Sequence, residues 1–444
     1  MSIENATPPA VKRNGLRCKD SRKRRLSGAR ARPTELARRR GAPGLGRGGV
    51  YLKHLIVFFS FIAVCCGAAS ARDDSGLAAF LQNLWPAAER AGVSREVFDR
   101  AVESSSIETS VLQRPHTQAE FTISIPSYLS SALTPARVAR GRSLATELAA
   151  PLARIEQRSG VASTTLLAIL GVESNFGSAT GAADTLSVLA TLAYGGHRGT
   201  VFSDEYIAAL VMLQRGYVAR ERLRGSWAGA MGQPQFLPSA YLKFAQSYDG
   251  EGPADIWTNR LDSLASIGNF LKESGWVAGL PPVIEVVVPP TFDYGALDLD
   301  LSQWRATGFS QADGGRLPES GAASLFQPAG AAGPTFLITD NFEAIRQYNT
   351  SDAYALSVAL LAERIAGRKA PIAPWPKVAA LSTADCMEMQ RLLAARGLYR
   401  GTIDGKLGRT SRNAVHAFQL SVGLQPADGF ATKAVLERLR GKGE

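Results

Sequence analysis

The segment "LLAILGVESNFGSATG", Leu166–Gly181, is the strongest constraint on what this chain can become. Leu166, Leu167, Ile169, Leu170 and Val172 cover nearly every side of a helix, so that helix has to lie inside other helices. Ser163 is expected as its N-cap, and Asn175 with Gly177 as the turn that ends it. Glu173 then falls at the C-terminal end of a buried helix. Lost hydration and the negative end of the helix dipole both favour the protonated carboxyl there. Two readings follow from the residues alone: a structural acid paired with an arginine or a hydroxyl, or a general acid that holds its proton for a departing sugar oxygen.

Helical periodicity extends from Gly76 to about Trp276. Leu77, Phe80, Leu81 and Leu84 share one face, Ser203 is expected to cap "SDEYIAALVMLQRGYV", and Leu261, Leu264, Ile267 and Leu271 form a stripe that ends near Gly275. From Leu280 the texture changes to short β-type runs such as "VIEVVV" and "PTFLIT" among Gly/Pro/Ala connectors, which implies a small sheet over about 280–340. Helix resumes at "NTSDAYALSVALLAERIAG". The expected fold class is mainly α (α+β), with a catalytic-sized domain over 73–368, a proline-rich spacer at 369–378, and a small helical unit over 379–440.

Charge narrows the function classes. Residues 1–50 carry 14 Lys/Arg against 3 Asp/Glu, the whole of the formal charge of +11, so the remainder is neutral and offers nucleic acid no electrostatic footprint. Residues 1–72 are expected to be a basic, disordered leader followed by an export signal, with an apolar core from Leu55 to Cys66 and a small-x-small cleavage site at Ala69-Ser70-Ala71. The leader is long for a signal, which places the expected translational start downstream of Met1. An uncleaved anchor is the alternative, and the residues before Cys65 and Cys66 are a poor fit to lipidation. Beyond the leader only Cys386 remains, so no intramolecular disulfide is expected, and the four histidines form no zinc-binding pattern.

Two further segments hold candidate binding groups. In "GSWAGAMGQPQFLPSAY", small residues allow close backbone approach while Ser226, Gln233 and Gln235 supply neutral hydrogen-bonding groups suited to sugars. Simple helix packing explains the glycines but not the two glutamines. In "YNTSDAYALS", Tyr348, Asn349, Ser351 and Tyr354 gather at a helix start, where Asn349 or Ser351 also fits a plain capping role. "SYDGEGPADIW" resembles a calcium loop, but Ser247 and Thr258 stand at the first and twelfth positions, so it reads as a turn and no metal is expected.

Taken together, "ILGVESNFG", "GSWAGAMGQPQFLPSAY", "DIW", "LDSLASIGNFL" and "YNTSDAYALSV", in this order, resemble the lytic murein transglycosylases of the membrane-bound B type. An upstream "EFTISIPSYL" also fits. The resemblance implies a lysozyme-like helical domain that cleaves the β-1,4 bond between N-acetylmuramic acid and N-acetylglucosamine and leaves a 1,6-anhydro end. It implies that Glu173 is the single catalytic acid and base, that Ser226 and Gln235 orient it or the sugar, and that Tyr128, Tyr348, Asn349 and Tyr354 line the cleft. Gln233 joins them as a substrate-binding candidate. No cofactor is implied. The unit over 379–440 is similar to the three-helix peptidoglycan-binding domain, with "DGKLGRT" and "HAFQ" as its signatures. The expected partner is the peptidoglycan glycan strand, and the expected form is an exported monomer with peripheral or anchored membrane association left open. A hydrolytic muramidase on the same scaffold and a non-catalytic wall-binding scaffold are the rival readings.

Overall fold

Side-chain caps set the helix starts: Ser94, Ser124, Thr134, Asp184 and Asn259 each accept a backbone N–H from the first turn they precede. The structure, a computed structural model, describes residues 74–112, 124–197, 199–369, 371–377 and 381–441. The leader and signal expected over 1–72 lie outside the described residues.

The first helices are α1 (Asp74–Gln82), α2 (Trp85–Arg90), α3 (Arg95–Glu103), α4 (Thr109–Leu112), α5 (Ile125–Ala132), α6 (Pro135–Glu147) and α7 (Ala149–Ser159). Next come α8 (Ser163–Ser174), β1 (Ala183–Asp184), α9 (Thr185–Tyr194), α10 (Val201–Gln214), β2 (Arg224–Gly225), α11 (Pro238–Phe244) and α12 (Arg260–Glu273). The sheet region holds β3 (Val283–Val287), β4 (Asp298–Asp300), α13 (Leu301–Ala306), β5 (Ser310–Gln311), β6 (Ala322–Phe326) and β7 (Phe336–Thr339). The chain then forms α14 (Asp340–Tyr348), α15 (Asp352–Ile365), α16 (Thr383–Ala395), α17 (Arg409–Ser421) and α18 (Lys433–Leu439).

Helix α8 runs through the centre, packed by α15, α6 and α12, and its residues from Thr165 through Gly171 are all buried. Each leucine taken fully out of water there contributes about 2 kcal/mol, which is why a helix without a polar face is stable only in this position. Two capping expectations are corrected. Ser163 is the first residue of α8 rather than its cap: its N–H and its hydroxyl both donate to the Glu156 carboxylate, at 2.9 and 2.6 Å, so the preceding helix supplies the acceptor. Ser203 lies inside α10, which begins at Val201 because Phe202 is drawn into the core.

The sheet is antiparallel throughout, in the order β4-β6-β7-β3-β5, and packs over its own cluster of Trp304, Phe309, Tyr294 and Leu337. It occupies the region where the sequence changes texture. Helices α16 to α18 close a third small core around Met389, Leu393, Val415, Phe418 and Leu436. The segment before them is strapped down. Glu285 of β3 accepts the N–H groups of Ile372 and Ala373, and Trp375 packs near Phe336. Among the described residues, no helix is long and apolar enough to cross a membrane.

Candidate active site

Glu173 sits in the last turn of α8, half-buried, just ahead of three consecutive left-handed residues: Asn175 (φ 47°), Phe176 (φ 59°) and Gly177 (φ 88°). Two of these are not glycine, so the turn has to be held from outside. The Phe176 ring does this by burying itself against Gly171, where a Cβ would lie 2.7 Å from the ring. The Ser174 hydroxyl accepts the Gly177 N–H at 2.9 Å, which closes the turn from inside. The chain thus reverses directly after Glu173 and leaves its carboxyl at the rim of the core.

The facing wall is the start of α15. Ser351 caps it by accepting the Tyr354 N–H, and Asn349 in turn accepts the Ser351 N–H at 3.0 Å. This pins Tyr354, which is buried, so that its hydroxyl donates to Oε1 of Glu173 at 2.5 Å. Burial, then the charge of Glu173, raise the Tyr354 phenol well above its usual pKa, so it remains a donor at any working pH. Tyr348 stacks on Tyr354 at 6.5 Å with nearly parallel rings, and its own hydroxyl donates to the Pro234 carbonyl at 2.6 Å. Burial, then the charge of Glu173, raise Tyr348 in the same way. Tyr128, half-buried on α5, also lies close enough to Tyr354 for the two phenols to be electrostatically coupled.

The third wall is the glycine-rich segment after β2. The β1–β2 ribbon pairs Ala183 with Gly225 and brings Gly181 so near that a Cβ on it would meet the Gly225 carbonyl at 2.2 Å. Asp184 holds the ribbon by pairing with Arg220 at 2.5 Å while capping α9. Ser226 spends its hydroxyl on its own turn, accepting from Ala230 N at 3.2 Å and more distantly from Ala228 N. Gln235, at φ 55°, donates to the carbonyls of Thr180 and Gly232, which fixes the loop that follows Glu173. Gln233 is buried against Gly177, with its Oε1 unpartnered. Three separate stretches of sequence therefore converge on the end of α8. Phe176, Asp184 and Arg220 were not among the residues singled out from the sequence; Asn175 with Gly177 marked the turn that holds Phe176, and no sequence signal marked the Asp184–Arg220 pair.

The loop with the calcium-like spacing is committed elsewhere. Asp255 accepts Arg222 at 2.8 Å and the N–H groups of Trp257 and Thr258, while Asp262 accepts the N–H groups of Tyr248 and Asp255. Asp249 and Glu251 point into solvent. Among the described residues, no group of three or more His, Cys, Asp or Glu is placed to hold a metal ion. This donor set does not fit a calcium ion.

Comparison with known proteins shows the family of the fold. The family model for the transglycosylase SLT domain matches residues 76–363, and that for a peptidoglycan binding domain matches residues 382–439. SltB3 from Pseudomonas aeruginosa, solved in complex with NAG-anhNAM-pentapeptide and with NAG-NAM-pentapeptide, is 40% identical with a TM-score of 0.75, over 82% of this chain and 99% of that one. The membrane-bound lytic murein transglycosylase B of Escherichia coli (strain K12) is 30% identical over 243 residues, which is 54% of this chain and 66% of that relative, just under two thirds of its length. The Escherichia coli lytic transglycosylase Slt35, solved in complex with calcium, is 27% identical with a TM-score of 0.55, over 68% of this chain and 95% of that one. This chain belongs to the transglycosylase SLT domain family and carries a C-terminal peptidoglycan-binding domain.

Proposed function

We propose that this protein is a lytic transglycosylase that cleaves the β-1,4 bond between N-acetylmuramic acid and N-acetylglucosamine in peptidoglycan and forms 1,6-anhydromuramic ends. The observation that carries this reading is the Glu173 carboxyl held by the Tyr354 hydroxyl at the rim of a tyrosine-lined site. Among the described residues, Glu173 is the carboxylate whose charge acts on both buried tyrosines, which suits a reaction with a single protein acid.

In this reading the protonated Glu173 donates to the departing N-acetylglucosamine oxygen as the glycosidic bond breaks. The muramic acetamido oxygen bonds to C1 as internal nucleophile, so no second carboxylate is required. The Glu173 carboxylate then takes the proton of the C6 hydroxyl, whose oxygen bonds to C1 and displaces the acetamido oxygen. Tyr354 fixes the plane of the carboxyl through both steps. Gln235 and Ser226 keep the loops around Glu173 in place, Tyr128 and Asn349 belong to the surface that receives the muramic residue, and the buried Tyr348 and Gln233 back that surface from inside. SltB3 has been solved with a fragment bearing an anhydromuramic unit and with one that lacks it, which supports the same product here. The protein works without a cofactor, as a monomer exported to the cell envelope, where the C-terminal domain meets the wall.

Mass spectrometry of digested sacculi tests the reading. Anhydromuramic products from wild type and none from Glu173→Gln are expected; reducing ends instead would make the protein a hydrolytic muramidase. Equal failure of both proteins to clear a wall suspension, with binding retained, would make it a scaffold.

A further inference from the structure

The C-terminal domain reaches into the architecture of the active site. Asp352 is the first residue of α15, two positions before Tyr354, and its side chain is only 13% exposed. Its Oδ2 accepts Arg412 Nη1 of α17 at 2.6 Å, and its Oδ1 meets Arg346 Nε of α14 at 3.1 Å. Arg346 also donates to the Thr350 carbonyl and to Glu343, so it holds the turn that carries Asn349 and Ser351. The Arg412 guanidinium lies 4.6 Å over the Phe326 ring of β6, which fixes it from the other side. Burial would by itself push the Asp352 carboxyl upward, but the charges of Arg412 and Arg346 prevail and hold it below the usual range.

This contact is the centre of a wider seam. Arg409 donates to Ser324, His416 shares a hydrogen bond with the Tyr294 carbonyl at 2.6 Å, and Asp428 accepts the Ala331 N–H at 3.0 Å. Ala427 is buried within the core of the sheet. With the preceding segment strapped to Glu285, the domain is a fixed part of the molecule rather than a freely swinging tether.

We propose that Arg412 is a positioning residue for catalysis: through Asp352 it sets the start of α15, and so holds Tyr354 on Glu173. The proposal rests on the transglycosylase reading for its substrate. A wall-binding domain that served only to raise local substrate concentration would change apparent affinity for sacculi and nothing on a small soluble substrate. A positioning domain changes turnover on both.

The test uses the full chain and soluble glycan oligomers, with total cleavage counted whatever the end formed, alongside hydrogen exchange of residues 349–356. Arg412→Ala is expected to lower kcat about threefold to thirtyfold with KM within about twofold, the range typical of coupling through packed and ion-paired networks. Arg412→Lys recovers most of the loss, and Arg412→Ala speeds exchange in the first turn of α15. In a Tyr354→Phe background the loss from Arg412→Ala shrinks to less than about twofold, because the two changes act on one interaction. An unchanged kcat, a loss undiminished in the Tyr354→Phe background, or unchanged exchange overturns the proposal. Should Arg412→Ala fail to fold, Arg412→Gln, which keeps an aliphatic stem and a polar amide but no charge, carries the same comparison. Reducing rather than anhydro ends from wild type would defeat the transglycosylase reading while leaving the kcat comparison intact. If wild type cleaves nothing, hydrogen exchange alone decides.

Discussion

Tyr354 and Glu173 are 181 residues apart in sequence, yet the tyrosine hydroxyl donates to the carboxyl oxygen at 2.5 Å. The bond joins the C-terminal end of one core helix to the N-terminal turn of another, and these two helices pack along each other. The position of the acid is therefore a property of the core rather than of a surface loop.

Replacing Tyr354 by Phe keeps the ring and its stacking on Tyr348 but removes the donor. A hydrogen bond to the carboxylate that forms as Glu173 gives up its proton is worth about 1.5–3 kcal/mol, so kcat should fall roughly 10- to 150-fold with KM little changed. Steady-state kinetics on soluble glycan oligomers checks this, with a thermal melt to show that the fold persists. A kcat within a factor of about two of wild type would mean that the bond is structural only.

Gly171→Ala tests how the turn after Glu173 is held. A Cβ there would come within 2.7 Å of the Phe176 ring, and Phe176 has no room to retreat because its side chain is buried. Overpacking of this kind costs about 1–3 kcal/mol and should move the turn, so both the denaturation midpoint and activity fall. Phe176→Leu in the same protein relieves the clash and should recover part of the stability. If Gly171→Ala alone is as stable as wild type, the ring is not the prop described above.

Much of this was legible in the residues and some was not. The buried course of α8, the lone Glu173 at its end and the sheet between the helices follow from apolar coverage and from the β-type runs, because those patterns report burial directly. The start of α8 was misplaced by one residue, since nothing local reveals that Glu156 supplies the cap. Arg412 carried no signal in the sequence. Its meaning depends on Asp352, sixty positions earlier, and pairing across domains leaves no periodic trace in a single sequence. Asp352 itself reads as an ordinary first-turn acid, which it also is.

The loop from Ser247 to Thr258 should be indifferent to calcium. Arg222 supplies the positive charge that faces Asp255, and each oxygen of Asp262 accepts a backbone N–H. Millimolar calcium or a chelator should leave both the melting temperature and the activity unchanged. Asp255→Asn should lower the melting temperature by the same amount in either condition. A melt that rises with calcium in wild type and not in Asp255→Asn would show instead that the loop takes the ion.

Acid should unfold the protein through its paired aspartates. Asp352 and Asp184 are both buried enough for desolvation to raise them, yet the arginines beside Asp352, and Arg220 and the Ser187 N–H beside Asp184, hold each below the usual carboxylate range. A carboxyl whose pKa is lower in the folded chain binds protons less well there than in the unfolded one. Its stabilisation is complete above the unfolded pKa and is lost as the pH falls through the folded one. Glu205 has the opposite sign: burial raises it despite two hydrogen bonds from Ser239, so its cost to the folded state disappears on acidification. The aspartates decide the outcome below about pH 4, where Glu205 is already protonated and has no more to give. Urea midpoints measured from neutral to strongly acidic pH should therefore drop steeply below that point. Asp352→Asn leaves two guanidiniums facing a neutral amide, so it should cost about 3 kcal/mol at neutral pH and flatten the acid slope. An unaltered slope in Asp352→Asn would place the acid sensitivity elsewhere.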